Sequence, residues 1–235
     1  MSAAAPDVGV VIVAAGGGTR AGGGDRGELK QFRWVAGKPM LLHSIHRFQE
    51  RADVALVVCV LPRRYAGDPP PWIFQCDTDR LLVSVGGKER GDSVMNGLED
   101  LPPDLGIVLV HDAARPLVDA ATIERVIAVA RTGVGAVAGL PIADTLKAVD
   151  QSGRISATVD RGPLWRAQTP QGFPRDMLVR AYVEARAQEA RVTDDAALCE
   201  RLGFPVMMVR GTESALKITE ESDFARADAL AGSWP

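Results

Sequence analysis

Short apolar runs, each ended by glycine, proline or a polar cluster, alternate along this chain with segments whose apolar residues return every three or four positions. The runs are too short for buried helices and read as strands, and the returning pattern reads as helix faces. Strands are predicted at 9–13 (GVVIV), 55–61 (ALVVCVL), 81–85, 107–110, 135–138 and 205–210. Helices are predicted from Pro39 to about Glu50, and over 92–101, 122–131, 174–190 and 194–202, with Thr193 as a cap. A last helix starts at a Thr219 cap, with Glu220, Glu221 and Asp223 near its positive end. Strands apolar on both faces need cover on both faces. The pattern therefore predicts an α/β, Rossmann-like fold: a mainly parallel sheet with helices on both faces.

One stretch breaks the pattern. Residues 144–160 alternate apolar and polar around an Asp150-Gln151-Ser152-Gly153 turn. That predicts an antiparallel hairpin protruding as an arm. No repeat and no linker divides the chain, so a single domain is expected over residues 1–235.

Composition narrows the chemistry. The formal net charge is -3, which gives no reason to expect nucleic acid as a partner, so any anion site must be local. No apolar stretch reaches the roughly 20 residues of a membrane span. Residues 1–7 lack a basic region ahead of an apolar run, so no signal peptide is expected. Three scattered cysteines, Cys59, Cys76 and Cys199, read as free thiols in a reducing, cytoplasmic setting. Only five of the 27 basic residues are lysines: Lys30, Lys38, Lys88, Lys147 and Lys217.

Five clusters could carry chemistry. The first strand runs into Ala14-Ala15-Gly16, and seven glycines lie between positions 16 and 27. Such a loop presents backbone N–H groups to phosphates. Gly16, Gly18 and Ala21 match the dinucleotide fingerprint G-x-G-x-x-A. That reading would imply a nicotinamide-dependent oxidoreductase, and it expects an acid at the tip of the second strand. Here that strand ends Leu61-Pro62, while the loop delivers Arg20 and then Lys30. Two cations after glycines suit a triphosphate. The second cluster, GGKERGDSV from Gly86, is either a base-reading strand tip or an ordinary turn capped by Asp92 or Ser93. In the third, His111-Asp112, the aspartate ends a buried strand; it either holds Mg²⁺ beside substrate phosphates or caps a turn. The fourth, spanning residues 159–173, reads as a loop. The fifth places Lys217 on a short strand before a helix cap.

Together these motifs resemble the 2-C-methyl-D-erythritol 4-phosphate cytidylyltransferases of the non-mevalonate isoprenoid pathway. The pieces run in order: AAGGGTR, LKQF, GGKERGDSV, VHDAARP, ADTLK, VDRGPLW, AQTPQGF, TDDA and LKIT. Val13 and Leu29 stand where the family usually has proline, and the glycine loop is longer by a few residues. Lys88 stands where an acidic or small polar residue is usual.

The resemblance implies transfer of a cytidylyl group from CTP to a sugar-alcohol phosphate in a homodimer clasped by the arm. It assigns Arg20, Lys30 and Lys217 to catalysis, and Ala14, Ala15, Gly16, Gly18, Gly87, Ser93 and Asp112 to the nucleotide. Asp112 would also hold Mg²⁺. Thr145, Arg161, Thr169 and Lys217 would bind the acceptor, Thr145 and Arg161 by reaching across the dimer. Ribitol 5-phosphate is the alternative acceptor. Relatives specific for ribitol tend to lack the HDAARP and VDR-x-x-LW wording present here.

Overall fold

A computed structural model describes residues 5–16, 29–188 and 194–232. The strands, in chain order, are β1 Val8–Val13, β2 Trp34–Val35, β3 Lys38–Pro39, β4 Val54–Leu61, β5 Leu81–Val85 and β6 Ile107–Asp112. They continue with β7 Gly135–Pro141, β8 Leu146–Val149, β9 Ile155–Val159, β10 Trp165–Pro174 and β11 Val206–Arg210. The α-helices are α1 Met40–Gln49, α2 Arg63–Ala66, α3 Arg90–Glu99, α4 Ala120–Ala130, α5 Arg175–Ala187, α6 Asp195–Arg201 and α7 Glu221–Ala231.

Seven strands form the central sheet in the order β5-β4-β1-β6-β10-β7-β11. Successive side chains in a strand point to opposite faces, so each apolar run feeds two cores. Val10 and Ile12 pack with Leu41, Ile45 and Phe48 of α1 and with Ile123 and Val126 of α4. Val11 faces the other way, among Val94 and Leu98 of α3, Leu178 of α5 and Leu198 of α6. Helices on both faces thus follow from strands that are apolar on both faces, as expected.

Segment 165–174 is not a loop. As β10 it is antiparallel to both β6 and β7 and lies inside the sheet between them. It lacks an apolar run because polar side chains are buried in it with partners. Gln171 Nε2 donates to Asp194 (2.9 Å), its Oε1 accepts from the Ala196 N–H (3.0 Å), and Gln168 Nε2 donates to the Thr212 carbonyl (2.8 Å). Gln171, paired at both amide atoms, escapes the desolvation cost of an unpaired group, whereas Gln168 is paired only through Nε2 and its Oε1 is buried without a hydrogen-bond partner.

The predicted hairpin is β8 and β9, an antiparallel pair forming a sheet of its own. Gly153 takes the turn's left-handed conformation (φ 81°), and Asp150 Oδ1 accepts from the N–H groups of Ser152 and Arg154. Every residue of β9 is exposed, including Ile155 and Val159.

Five local expectations change. Pro39 is the residue before α1, not its first, because residues 34–39 form a small hairpin turned at Ala36 and Gly37. Glu89, not Asp92 or Ser93, caps α3; Asp92 completes a reciprocal capping box from the third position. Glu220, not Thr219, caps α7 in the same manner, with Asp223 as its partner. Lys217 lies in an extended segment after a 3₁₀ turn at Glu213–Ala215 and joins no strand. Asp194, not Thr193, caps α6, its carboxylate accepting from the Ala197 N–H at 3.0 Å. Gly18, Arg20 and Thr193 lie outside the described residues. Among the described residues, no helix is long and apolar enough to cross a membrane.

Candidate active site

The C-terminal ends of β1, β4, β5 and β6 point one way, which is where open α/β sheets bind ligands. A cavity of about 440 Å³ opens there, lined by Val13 to Gly16, Lys30, Gln31, Gly87 to Arg90, Ser93, Asp112 to Ala114, Lys217 and Thr219. The structure therefore brings together Ala14, Ala15, Gly16, Lys30, Gly87, Ser93, Asp112 and Lys217, eight residues singled out from the sequence. Thr145 and Arg161 do not line it; they sit exposed at the base of the arm, where an Arg161 guanidinium N–H donates to the Ala143 carbonyl.

The walls come together for packing reasons. A Cβ on Gly86 would lie 2.3 Å from Ala15 Cβ, and one on Gly87 would lie 2.2 Å from Asp92 Cβ. Neither neighbour can rotate away, so only glycine lets the β5 tip sit against the start of the glycine loop. Gly86→Ala is expected to push the two tips apart and to destabilise the fold by about 1–3 kcal/mol, the usual scale of one overpacked contact. Urea unfolding checks this, and unchanged stability would contradict it. Gln31, which had no assigned role, braces the loop by donating to the carbonyls of Ala14 (2.5 Å) and Gly16 (3.3 Å). The Q of the LKQF motif is the signal that marked it.

Charge is concentrated at the β6 tip. Lys217 Nζ donates to Asp112 Oδ2 at 2.6 Å, while Arg90 approaches Asp112 Oδ1 at 3.4 Å. Burial pushes the Asp112 carboxyl up, but the Arg90 and Lys217 charges outweigh it and hold it well below the usual carboxylate range. Lys30 Nζ donates to the Ile218 carbonyl at 2.7 Å, tying the far end of the glycine loop to the residue after Lys217. That segment is held independently: the Ile218 N–H donates to the Ala114 carbonyl (2.8 Å) and Arg115 to the Ala215 carbonyl (2.7 Å). Ser93 Oγ accepts from the Gly87 N–H (3.1 Å) and so joins the two positions expected to read the base.

Thr169 is a support and does not line the cavity. Its buried hydroxyl accepts from the Asp112 N–H (3.0 Å) and lies 3.0 Å from His111 Nδ1. His111 Nε2 lies 3.1 Å from the Arg115 carbonyl, so the neutral ring donates there and accepts from Thr169. Burial lowers the His111 pKa to about 4, against a smaller upward pull from Asp112. A folded-state value below the unfolded 6.5 means that the unfolded chain takes up the proton first. Stability is then full above about pH 6.5 and falls as pH drops toward 4, by up to about 3 kcal/mol from this residue. Urea unfolding at about pH 7 and about pH 4.5 should show a loss of that order, and His111→Gln should remove its share. An identical slope in the variant would contradict it.

The family model described as "IspD: 2-C-methyl-D-erythritol 4-phosphate cytidylyltransferase" matches residues 8–233. The chain belongs to this family. The enzyme of that name from Streptomyces coelicolor is 42% identical over 231 residues, covering 94% of this chain and 83% of that one. The bifunctional IspD/IspF enzyme of Rhodospirillum rubrum is 45% identical over 232 residues, covering 95% of this chain and 56% of that one. The chain thus spans about half the length of its bifunctional relatives. A crystal structure of the cytidylyltransferase from Thermus thermophilus superposes with a TM-score of 0.80 at 35% identity, covering 96% of this chain and 99% of that one. The family match and the superposition bear out the expected α/β fold, and the Streptomyces coelicolor and Thermus thermophilus relatives are named as cytidylyltransferases. Family membership sets aside the oxidoreductase reading, for which the β4 tip, Leu61-Pro62, offers no acid.

Proposed function

We propose that this chain transfers the cytidylyl group of CTP to the phosphate of 2-C-methyl-D-erythritol 4-phosphate, releasing diphosphate, for isoprenoid precursor synthesis. The observation that carries this reading is the cavity in which Lys30, Lys217 and Asp112 face the backbone of Ala14 to Gly16. The nucleophile is a phosphate monoester with a second pKa of about 6, so it is largely ionised at neutral pH. It needs no general base, and among the described residues no histidine lines the cavity. The barrier lies in bringing two polyanions together and in the charge that spreads over the transferred phosphoryl group. Lys30, and Arg20 by family likeness, face the triphosphate. Lys217 exchanges Asp112 for the reacting groups. The backbone at Ala14, Ala15 and Gly87, with Ser93, reads the cytosine edge.

Asp112 fits a Mg²⁺ ligand. It stays ionised at any working pH, and Mg²⁺ favours one or two carboxylates completed by substrate phosphates and water. When bound, the cation would offset phosphate charge and orient the α-phosphate. No cluster of three or more His, Cys, Asp or Glu side chains with metal-ligand spacing exists among the described residues, which suits a cation that arrives with its nucleotide.

A second copy of the chain explains the two acceptor residues absent from the cavity. The arm exposes Val149, Ile155 and Val159, an apolar surface of the kind a partner covers. In a two-fold dimer, Thr145 and Arg161 of one arm would reach the partner's cavity. Mixing Arg161→Ala with Lys217→Ala subunits tests this. Random mixing should regenerate about a quarter of the sites, because each mixed dimer keeps one site with both residues intact. No recovery on mixing would place Arg161 in its own subunit's chemistry.

A further inference from the structure

Asp195 is the most enclosed carboxylate near the cavity. It opens α6, is fully buried, and sits beside Ala196 and Leu198 of the apolar layer under the sheet. A lone charge there would be untenable, and its partners are good. Both its oxygens accept from Arg90, at 3.0 and 2.8 Å, and the Tyr182 hydroxyl donates to Oδ1. Burial and the Asp195 charge raise the Tyr182 pKa well above its ordinary value, so the hydroxyl keeps its proton.

Arg90 is the link. It is the first residue of α3, lines the cavity, and stands between Asp195 and Asp112. Its paired bonds go to Asp195. Toward Asp112 its Nε and Nη2 both stop at 3.4 Å, the long edge of a hydrogen bond. Lys217 holds the other Asp112 oxygen at 2.6 Å, but its side chain is 44% exposed on a segment outside any helix or strand. Of the two cations at Asp112, Lys217 can leave for an incoming phosphate. Arg90 cannot, because its fork is occupied by a buried carboxylate.

We propose that Asp195 is a positioning residue for cytidylyl transfer: by holding both arms of Arg90, and being held by Tyr182, it keeps Arg90 from closing onto Asp112 and leaves an Asp112 oxygen open to the reactants. The inference rests on the cytidylyl-transfer reading. Without Asp195, Arg90 keeps Asp112 as the carboxylate its guanidinium already approaches and forms the bidentate pair with it that the present geometry prevents. Asp195 is the second aspartate of the TDDA motif, residues 193–196.

The test compares wild type with Asp195→Asn, Tyr182→Phe, Arg90→Met and the Arg90→Met/Asp195→Asn double variant. Steady-state diphosphate release, CTP affinity by calorimetry and thermal unfolding are measured for each. Asp195→Asn should lower kcat by about 10- to 100-fold, the usual effect of losing a group that orients a reacting ligand, with CTP affinity within about threefold. Tyr182→Phe should show the same split, smaller, in a fold that loses only one donor. Because the damage passes through Arg90, the two losses should not multiply in the double variant. Wild-type kcat in Asp195→Asn would overturn the inference. So would multiplicative losses, or wild-type kcat in Tyr182→Phe should Asp195→Asn fail to fold. A wild-type protein that releases no diphosphate overturns the transfer reading, and this inference with it.

Discussion

Lys217→Ala is expected to lower kcat by about 10²- to 10³-fold with the fold intact, the usual loss when one donor to a developing charge is removed. The separation of activity from stability follows from how the segment is held. The Ile218 N–H bonds to Ala114 and Arg115 bonds to the Ala215 carbonyl, so the backbone keeps its place without the lysine side chain. Asp112 keeps Arg90 as a counter-charge. The lysine is half-exposed but its partner Asp112 is largely buried, so losing the pair costs some stability, limited because Arg90 remains within 3.4 Å. Thermal unfolding should therefore shift modestly while turnover collapses. Near-wild-type turnover would remove Lys217 from the chemistry.

Asp112→Asn carries the second large effect. The amide fills the same volume and can still face Lys217, so the β6 tip should keep its shape. What disappears is the charge. Arg90 and Lys217 together, against burial, make Asp112 a carboxylate that is ionised at every working pH. Turnover should fall by about 10²-fold or more, as expected for an electrostatic contact made at the reacting phosphate. A divalent-cation titration of activity should also shift to higher concentration in the variant. An unshifted titration would move the cation to other ligands.

Much of the fold was legible because the parallel strands are apolar on both faces. The runs at 55–61, 81–85 and 107–110 match β4, β5 and β6 closely. The arm was legible from its alternation and its Asp150–Gly153 turn. β10 was not, because Gln168, Thr169 and Gln171 are polar in sequence and buried in space; their partners, Thr212, His111 and Asp194, lie far along the chain. The candidate site divides in the same way. The residues expected to meet the nucleotide sit in glycine-rich or strand-tip motifs, and these marked Ala14 to Gly16, Lys30, Gly87 and Asp112, which line the cavity. Groups that act through another group are marked less clearly. Arg90 and Asp195 stand in the GGKERGDSV and TDDA motifs, but they are 105 positions apart, and only folding shows that they are a pair. Thr169 was read as an acceptor contact, yet its hydroxyl supports Asp112 and His111 from beneath.

The most direct test is diphosphate release from CTP, crossed against 2-C-methyl-D-erythritol 4-phosphate and ribitol 5-phosphate. Release is expected with the methylerythritol phosphate and only at background with ribitol 5-phosphate. Release with ribitol 5-phosphate alone, or with neither acceptor, would contradict the proposed reaction.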